Sequence, residues 1–213
     1  LSFAQEIAGE LVAHLAAGGG VTRVEPAGSL RRGKETVGDV DILVTGPDAT
    51  AAIERFASYP RITEVLAKGP NKASAKIGEE GLQVDVRALP EESFGAALQY
   101  FTGSKEHNVA LRTRSVKAGL KLSEYGLFRA ASGEKIAGET EEGVYRALGL
   151  EWIPPELREN QGEIEAAAEG RLPRLVELSD IRGDLHMHTT ASDGRATLEE
   201  MAAEARRLGY RYI

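Results

Sequence analysis

Asp39 and Asp41 are separated by one residue in the run Asp39-Val40-Asp41-Ile42-Leu43-Val44, which reads as a β-strand ended by Gly46-Pro47. Side chains at i and i+2 of a strand point to one face, so the two carboxylates project together while Val40 and Ile42 face a core. Asp85 stands in a second alternating strand, Leu82-Gln83-Val84-Asp85-Val86-Arg87, where it shares a face with Gln83 and Arg87. Three carboxylates converging from adjacent strands repel one another unless cations lie between them. Hard divalent cations such as Mg²⁺ or Mn²⁺ take oxygen ligands and keep positions open for phosphate. Two such ions ~4 Å apart activate an attacking 3′-oxygen and stabilise a leaving pyrophosphate. A lone Asp-x-Asp is more often a solvated strand face. Here it is preceded by a glycine-punctuated loop, Gly28-Ser29-Leu30-Arg31-Arg32-Gly33, which allows close backbone approach to phosphate, with Arg31, Arg32 and Lys34 as charge-assisted donors.

Two further groups of residues carry chemistry. Arg112, Arg114, Lys117 and Lys121 lie on or just after a helix, where they form either a solvated face or a sequence-independent contact to a phosphate backbone. Asp184-Leu185-His186-Met187-His188-Thr189, with Asp193 in Ser192-Asp193-Gly194, is a His-x-His plus Asp cluster at a strand end. Its two imidazoles project together and can share a metal, or one is a surface residue and the other structural. His14 and His107 are the remaining histidines, and neither completes that set.

The elements that must position these groups are legible in outline. Residues 4–15 have helical periodicity, stopped by Gly18-Gly19-Gly20, and residues 21–26 read as a short strand. A helix follows over residues 49–58, strands over 62–66 and 73–77, and a strand over 82–89. The first ~90 residues are therefore α+β, with a mixed or antiparallel sheet. Helices are expected at 93–100 and 108–118, on either side of Tyr100-Phe101-Thr102-Gly103-Ser104. Acidic, linker-like sequence comes next, with Trp152-Ile153-Pro154-Pro155 as a stiff break, then a polar surface helix over 156–170. A new strand is expected at 181–186, a helix at 197–208 and the start of another strand at 210–213. One strand–helix unit cannot bury its own faces, so the last segment reads as a truncated domain.

Gly28-Ser29-Leu30-Arg31-Arg32-Gly33 followed by Gly38-Asp39-Val40-Asp41 resembles the palm signature of family X DNA polymerases, the group containing DNA polymerase beta. Val84-Asp85-Val86-Arg87 and Tyr100-Phe101-Thr102-Gly103-Ser104 match in order, and the resemblance runs from about residue 1 to about residue 153. It implies a nucleotidyltransferase-type palm at 1–92, a small α/β thumb at 93–153 and an acidic linker at 154–180. It further implies that Asp39, Asp41 and Asp85 bind two Mg²⁺ or Mn²⁺ ions. Ser29, Arg32 and Gly38, with Gly28, would hold the triphosphate of a dNTP. Tyr100, Phe101, Gly103 and Ser104 would form the sugar pocket, and Asn108 would meet the minor-groove edge of the base. Arg87, Arg112 and Lys117 would contact DNA, and Arg87 and Glu124 would share a switching ion-pair network. Gln83 and Lys105-Glu106-His107 depart from the family pattern, at the primer end and at the base-stacking position. Residues 181–213 resemble the first motif of the PHP (polymerase and histidinol phosphatase) barrel. There His186, His188 and Asp193 would be the first ligands of Zn²⁺ or Mn²⁺, a site inactive without the later strands. The partners expected are a dNTP and a primer–template or gapped DNA, bound by a monomer. DNA affinity is expected to be weakened because no helix-hairpin-helix or lyase-type domain precedes Leu1.

Composition is compatible with that reading. The chain has 213 residues, no cysteine and a formal net charge of −7. Without Cys there is neither a disulfide framework nor a thiolate metal site. No apolar run reaches the ~18 residues of a membrane span, and the first residues lack the basic start of a signal peptide. A bacterial, nucleoid-associated cytoplasmic location is the expectation. The acidity is local: residues 131–180 hold twelve acids and five bases, whereas residues 93–130 hold six bases and two acids. Nucleic acid responds to the local basic face, so the acidic average does not exclude it.

Overall fold

Ile7, Leu11 and Leu15 repeat at helical spacing and form the buried stripe of α1 (Ser2–Ala16). The computed structural model describes residues 1–213, which pack as two units, Leu1–Leu172 and Pro173–Ile213. In the first unit α1 is followed by β1 (Arg23–Pro26), α2 (Gly28–Arg31), β2 (Asp39–Thr45) and α3 (Ala49–Ala57). Then come β3 (Ile62–Lys68), β4 (Lys72–Ile77) and β5 (Leu82–Ala88). The five strands form one sheet in the order β1-β2-β5-β4-β3. β2 and β5 run parallel and the other neighbours antiparallel, which makes the sheet mixed.

Strand alternation sorts the two faces of this sheet. Val40, Ile42 and Val44 of β2 and Val84 and Val86 of β5 pack with α1 and with Ile53 and Phe56 of α3. On the opposite face Asp39 and Asp41 come first and Leu43 follows, packed with Phe94, Ala97 and Leu98 of α4 (Phe94–Thr102). One strand therefore anchors itself through its apolar half and presents two carboxylates at its start. The segment from Gly28, expected to be a loop, winds into α2, a single turn entered through Gly28 at φ +66°.

α4 leads to α5 (Lys105–Lys117), a three-stranded antiparallel sheet of β6 (Leu120–Ser123), β7 (Gly126–Arg129) and β8 (Lys135–Ala137), and α6 (Glu141–Ala147). Leu111, Leu122, Leu127, Val144 and Tyr145 close their shared core. The strands lie in sequence that looks like linker because each is only three or four residues long and gives too little alternation to detect.

The acidic linker expected over 154–180 is corrected in its first part. Ile164 and Ala167 of α7 (Glu163–Ala168) are buried in the same core, with Leu157 and Leu172 against them. The acid count misleads there because Glu163 faces inward. Its carboxylate accepts the backbone N–H groups of Asn160 and Gln161, at 3.0 and 2.7 Å, and lies 2.6 Å from His107 Nδ1.

In the second unit α8 (Leu198–Arg207) begins at a capping box formed by Thr197 and Glu200. The strands expected at 181–186 and 210–213 do not form. A single parallel bridge joins Gly183 to Tyr212. One helix supplies too little apolar surface to hold a sheet, and Leu178, Leu185 and Leu198 stay exposed.

Candidate active site

The register of the parallel pair brings the three aspartates together: Asp41 lies opposite Asp85, and Asp39 opposite Gln83. Burial, and then the negative charges of Asp39 and Asp85, push the Asp41 carboxyl up to about 6. Asp85 behaves differently. Burial works against its ionisation, but hydrogen bonds from Lys72, Ser74 and Gln83 hold it below the ordinary carboxylate range. Lys72 Nζ is 2.8 Å from Asp85 Oδ2, and Arg87 Nη2 is 3.5 Å from the same oxygen. No three carboxylate or imidazole groups in the chain close on one point as a finished metal cage. The oxygen-only donor set and its unbalanced negative charge fit hard divalent cations.

Gly28, Ser29, Arg32, Asp39 and Asp41 share an open cleft of about 380 Å³ with Tyr100, Phe101, Gly103, Lys105, Asn108 and Arg112 from the α4–α5 region. At Gly28 a β-carbon would come within 3.0 Å of Asp41 Oδ2, so the glycine keeps that oxygen approachable. The chain turns at Gly103, φ +74°, whose missing side chain leaves room for the Arg32 guanidinium. Tyr100 and Phe101 pack edge-to-face with centroids 5.1 Å apart. The Asn108 side chain is held in place: its Nδ2 donates to Tyr100 O and its Oδ1 accepts from Gln99 Nε2, both at 2.7 Å.

Several expected roles move. Arg31 leaves the loop and donates two 2.8 Å hydrogen bonds to Glu141, with a third to Thr102 Oγ1. Ser104 is buried and caps α5, its Oγ accepting the His107 N–H, so it stands behind the cleft and not in it. Gly38 is exposed and does not line the cleft. Arg87, expected among the DNA contacts, is half-buried with its guanidinium 4.4 Å from the centre of the Phe101 ring. That places it between Asp85 and Phe101, with its side chain partly exposed. Lys117 is exposed but lies outside the cleft, five positions after Arg112 and hence on another side of the helix. His188 Nδ1 lies 2.5 Å from Asp193 Oδ1, and the His186 ring is 5.1 Å from that of His188, but the three do not converge as a metal-binding group.

Three functional neighbours are not apparent from motifs alone. Lys72 is signalled only by the alternation Lys72-Ala73-Ser74-Ala75-Lys76, which puts its polar members on the face that β5 shares. Glu141 and Arg158 form a buried ion pair at 2.6 Å that also takes in Arg31, joining the segment from Gly28 to Gly33 to the second subdomain. No short-range pattern marks partners so far apart in sequence.

A mixed sheet bearing three aspartates, with an α/β subdomain that shares the cleft of Asp39 and Asp41, is the palm-and-thumb arrangement of the polymerase beta type. Sequence-family models for the DNA polymerase beta palm and the DNA polymerase beta thumb match residues 4–85 and 97–159. The chain belongs to the family X DNA polymerases. It is 37% identical over its whole length to the DNA polymerase/3′-5′ exonuclease PolX of Bacillus subtilis, covering 37% of that protein. It is 28% identical over 62% of its length to DNA polymerase lambda of Rattus norvegicus, of which it covers 28%. The chain thus spans about a third of the length of these curated relatives. Leishmania infantum polymerase beta, solved as a ternary gap complex, shares the fold with a TM-score of 0.65 at 21% identity, over 74% of this chain and 69% of that one.

Proposed function

We propose that this chain is the core of a DNA-directed DNA polymerase of the short-gap repair type. It transfers a deoxynucleoside monophosphate from a dNTP to a primer 3′-hydroxyl on primer–template or gapped DNA. The observation that carries this reading is the pairing of Asp41 with Asp85 across β2 and β5, beside the cleft that holds Ser29, Arg32 and Tyr100. Two Mg²⁺ or Mn²⁺ ions held by Asp39, Asp41 and Asp85 would acidify the primer hydroxyl and neutralise the departing pyrophosphate.

The chain's own residues do the positioning. Asp85 orients the primer 3′-oxygen, which bonds to the α-phosphorus as the bond to pyrophosphate breaks. Ser29 and Arg32, with the backbone at Gly28, hold the β- and γ-phosphates. Tyr100, Phe101 and Gly103 meet the sugar. Asn108, fixed by Gln99 and the Tyr100 carbonyl, offers its remaining amide N–H to the base edge. Arg112, exposed on α5, faces the template strand. At the other end of the chain, His186, His188 and Asp193 supply part of a nitrogen- and oxygen-donor site suited to Zn²⁺ or Mn²⁺.

Single-nucleotide addition to a one-nucleotide gap in Mg²⁺, compared with Asp85→Ala, tests the reading. Template-matched addition by the parent and none by the variant is the expected result. Addition that ignores the template base would instead make the chain a template-independent transferase.

A further inference from the structure

Arg32 is the guanidinium on which the nucleotide reading depends, and it is already bonded within the chain. Its Nη1 donates to the Thr102 carbonyl at 2.5 Å, and its Nε donates to Glu159 Oε1 at 2.8 Å. The same carboxylate oxygen lies 3.5 Å from Lys34 Nζ. Glu159 is brought there by a rigid support. The preceding residue, Arg158, is fully buried; its side chain donates to Ile153 O and Glu141, and its carbonyl accepts the Ser104 N–H at 2.9 Å. Burial opposes ionisation of Glu159, yet Arg32 and Lys34 keep its carboxyl charged. A negative group therefore sits on two of the three cations between Gly28 and Lys34, and the transfer reaction has no use for it.

We propose that Glu159 sets the affinity of the cleft for triphosphate: it holds the Nε edge of the Arg32 guanidinium from outside the cleft and lowers the positive charge that Arg32 and Lys34 offer there. An incoming triphosphate meets a partly neutralised guanidinium, which opposes binding. Glu159 is thus a residue that sets affinity by acting through Arg32, a role that rests on the nucleotide reading above. Arg32 does not need Glu159 to stay in place, because the Thr102 carbonyl still anchors Nη1.

The test is calorimetric titration of the intact chain, Glu159→Gln and Glu159→Asp, with a dNTP in Mg²⁺ and separately with inorganic tripolyphosphate. Thermal melting is measured alongside. A partly exposed ion pair of this kind is worth up to about fivefold in an equilibrium constant. Glu159→Gln is therefore expected to bind both ligands about threefold to fivefold more tightly, with Glu159→Asp close to wild type. In gap filling, KM for dNTP should fall by a similar factor with kcat unchanged. A purely structural residue would give weaker binding and a lower Tm. Equal or weaker binding by Glu159→Gln, with a wild type that does bind, overturns this inference alone. A wild type that binds neither ligand overturns the nucleotide reading and this inference with it.

Discussion

Replacing Glu141 by Gln should unlock the buried ion cluster that joins the segment from Gly28 to Gly33 to the second subdomain. Glu141 accepts two 2.8 Å hydrogen bonds from Arg31, one of 2.6 Å from Arg158 and one of 3.2 Å from Trp152 Nε1. Arg158 is fully buried, and its Nη2 has no partner even in the intact cluster. The variant keeps the shape but leaves two guanidinium groups uncompensated. Burial alone would raise the Glu141 pKa; the hydrogen bonds and charges of Arg31 and Arg158 reverse this and hold it at about 2, against an ordinary 4.5. At roughly 1.4 kcal/mol per pH unit that depression corresponds to about 3 kcal/mol. Breaking buried pairs elsewhere costs about 3–5 kcal/mol, in agreement. For a unit of this size the loss lowers Tm by roughly 6–12 °C. The sign of the pH dependence follows from the lowered pKa. The stabilisation is complete above the unfolded-state value near 4.5 and disappears as pH falls through about 2. Thermal melts of wild type and Glu141→Gln at stepped pH should therefore show a gap that is constant near neutrality and narrows below about pH 4.5. A neutral-pH loss under about 1 kcal/mol, or a gap independent of pH across that window, would refute the reasoning.

Two further substitutions probe how the elements around the site pack. Ile164→Ala should cost about 2–4 kcal/mol in urea denaturation if residues 154–172 belong to the core, whereas a solvated linker would lose under about 0.5 kcal/mol. A β-carbon at Gly95 would land on the Thr140 backbone, so Gly95→Ala should part α4 from α6. Overpacking of this kind costs about 1–3 kcal/mol, and a melting temperature equal to wild type would mean that the two helices have slack between them.

The parts of the site legible in the sequence are those built by short-range rules. Alternation in residues 39–44 and 82–87 places Asp39, Asp41 and Asp85 on one face, and the strand pairing puts Asp41 beside Asp85. The apolar stripe of α1 was readable for the same reason. What escaped the sequence depends on distant partners. Arg31 and Arg32 are adjacent and alike, yet one turns to Glu141 and the other to Thr102 and Glu159, and only the fold makes that distinction. Glu163 and Glu141 count as acids in a linker-like stretch, but each is buried on specific donors. β6, β7 and β8 are too short for their period to emerge, and the strands expected near residues 181 and 210 lacked neighbours to pair with beyond one bridge.

The central claim is that three aspartates on two parallel strands perform nucleotide transfer. Single-turnover insertion opposite a one-nucleotide gap, with Asp39→Asn, Asp41→Asn and Asp85→Asn beside the wild type, tests it most directly. Each variant is expected to lose at least about a thousandfold in the insertion rate, with melting temperature near wild type because Asp39 is exposed and Asp41 and Asp85 are partly so. Insertion that persists within about tenfold in the Asp41→Asn or Asp85→Asn variant would contradict it.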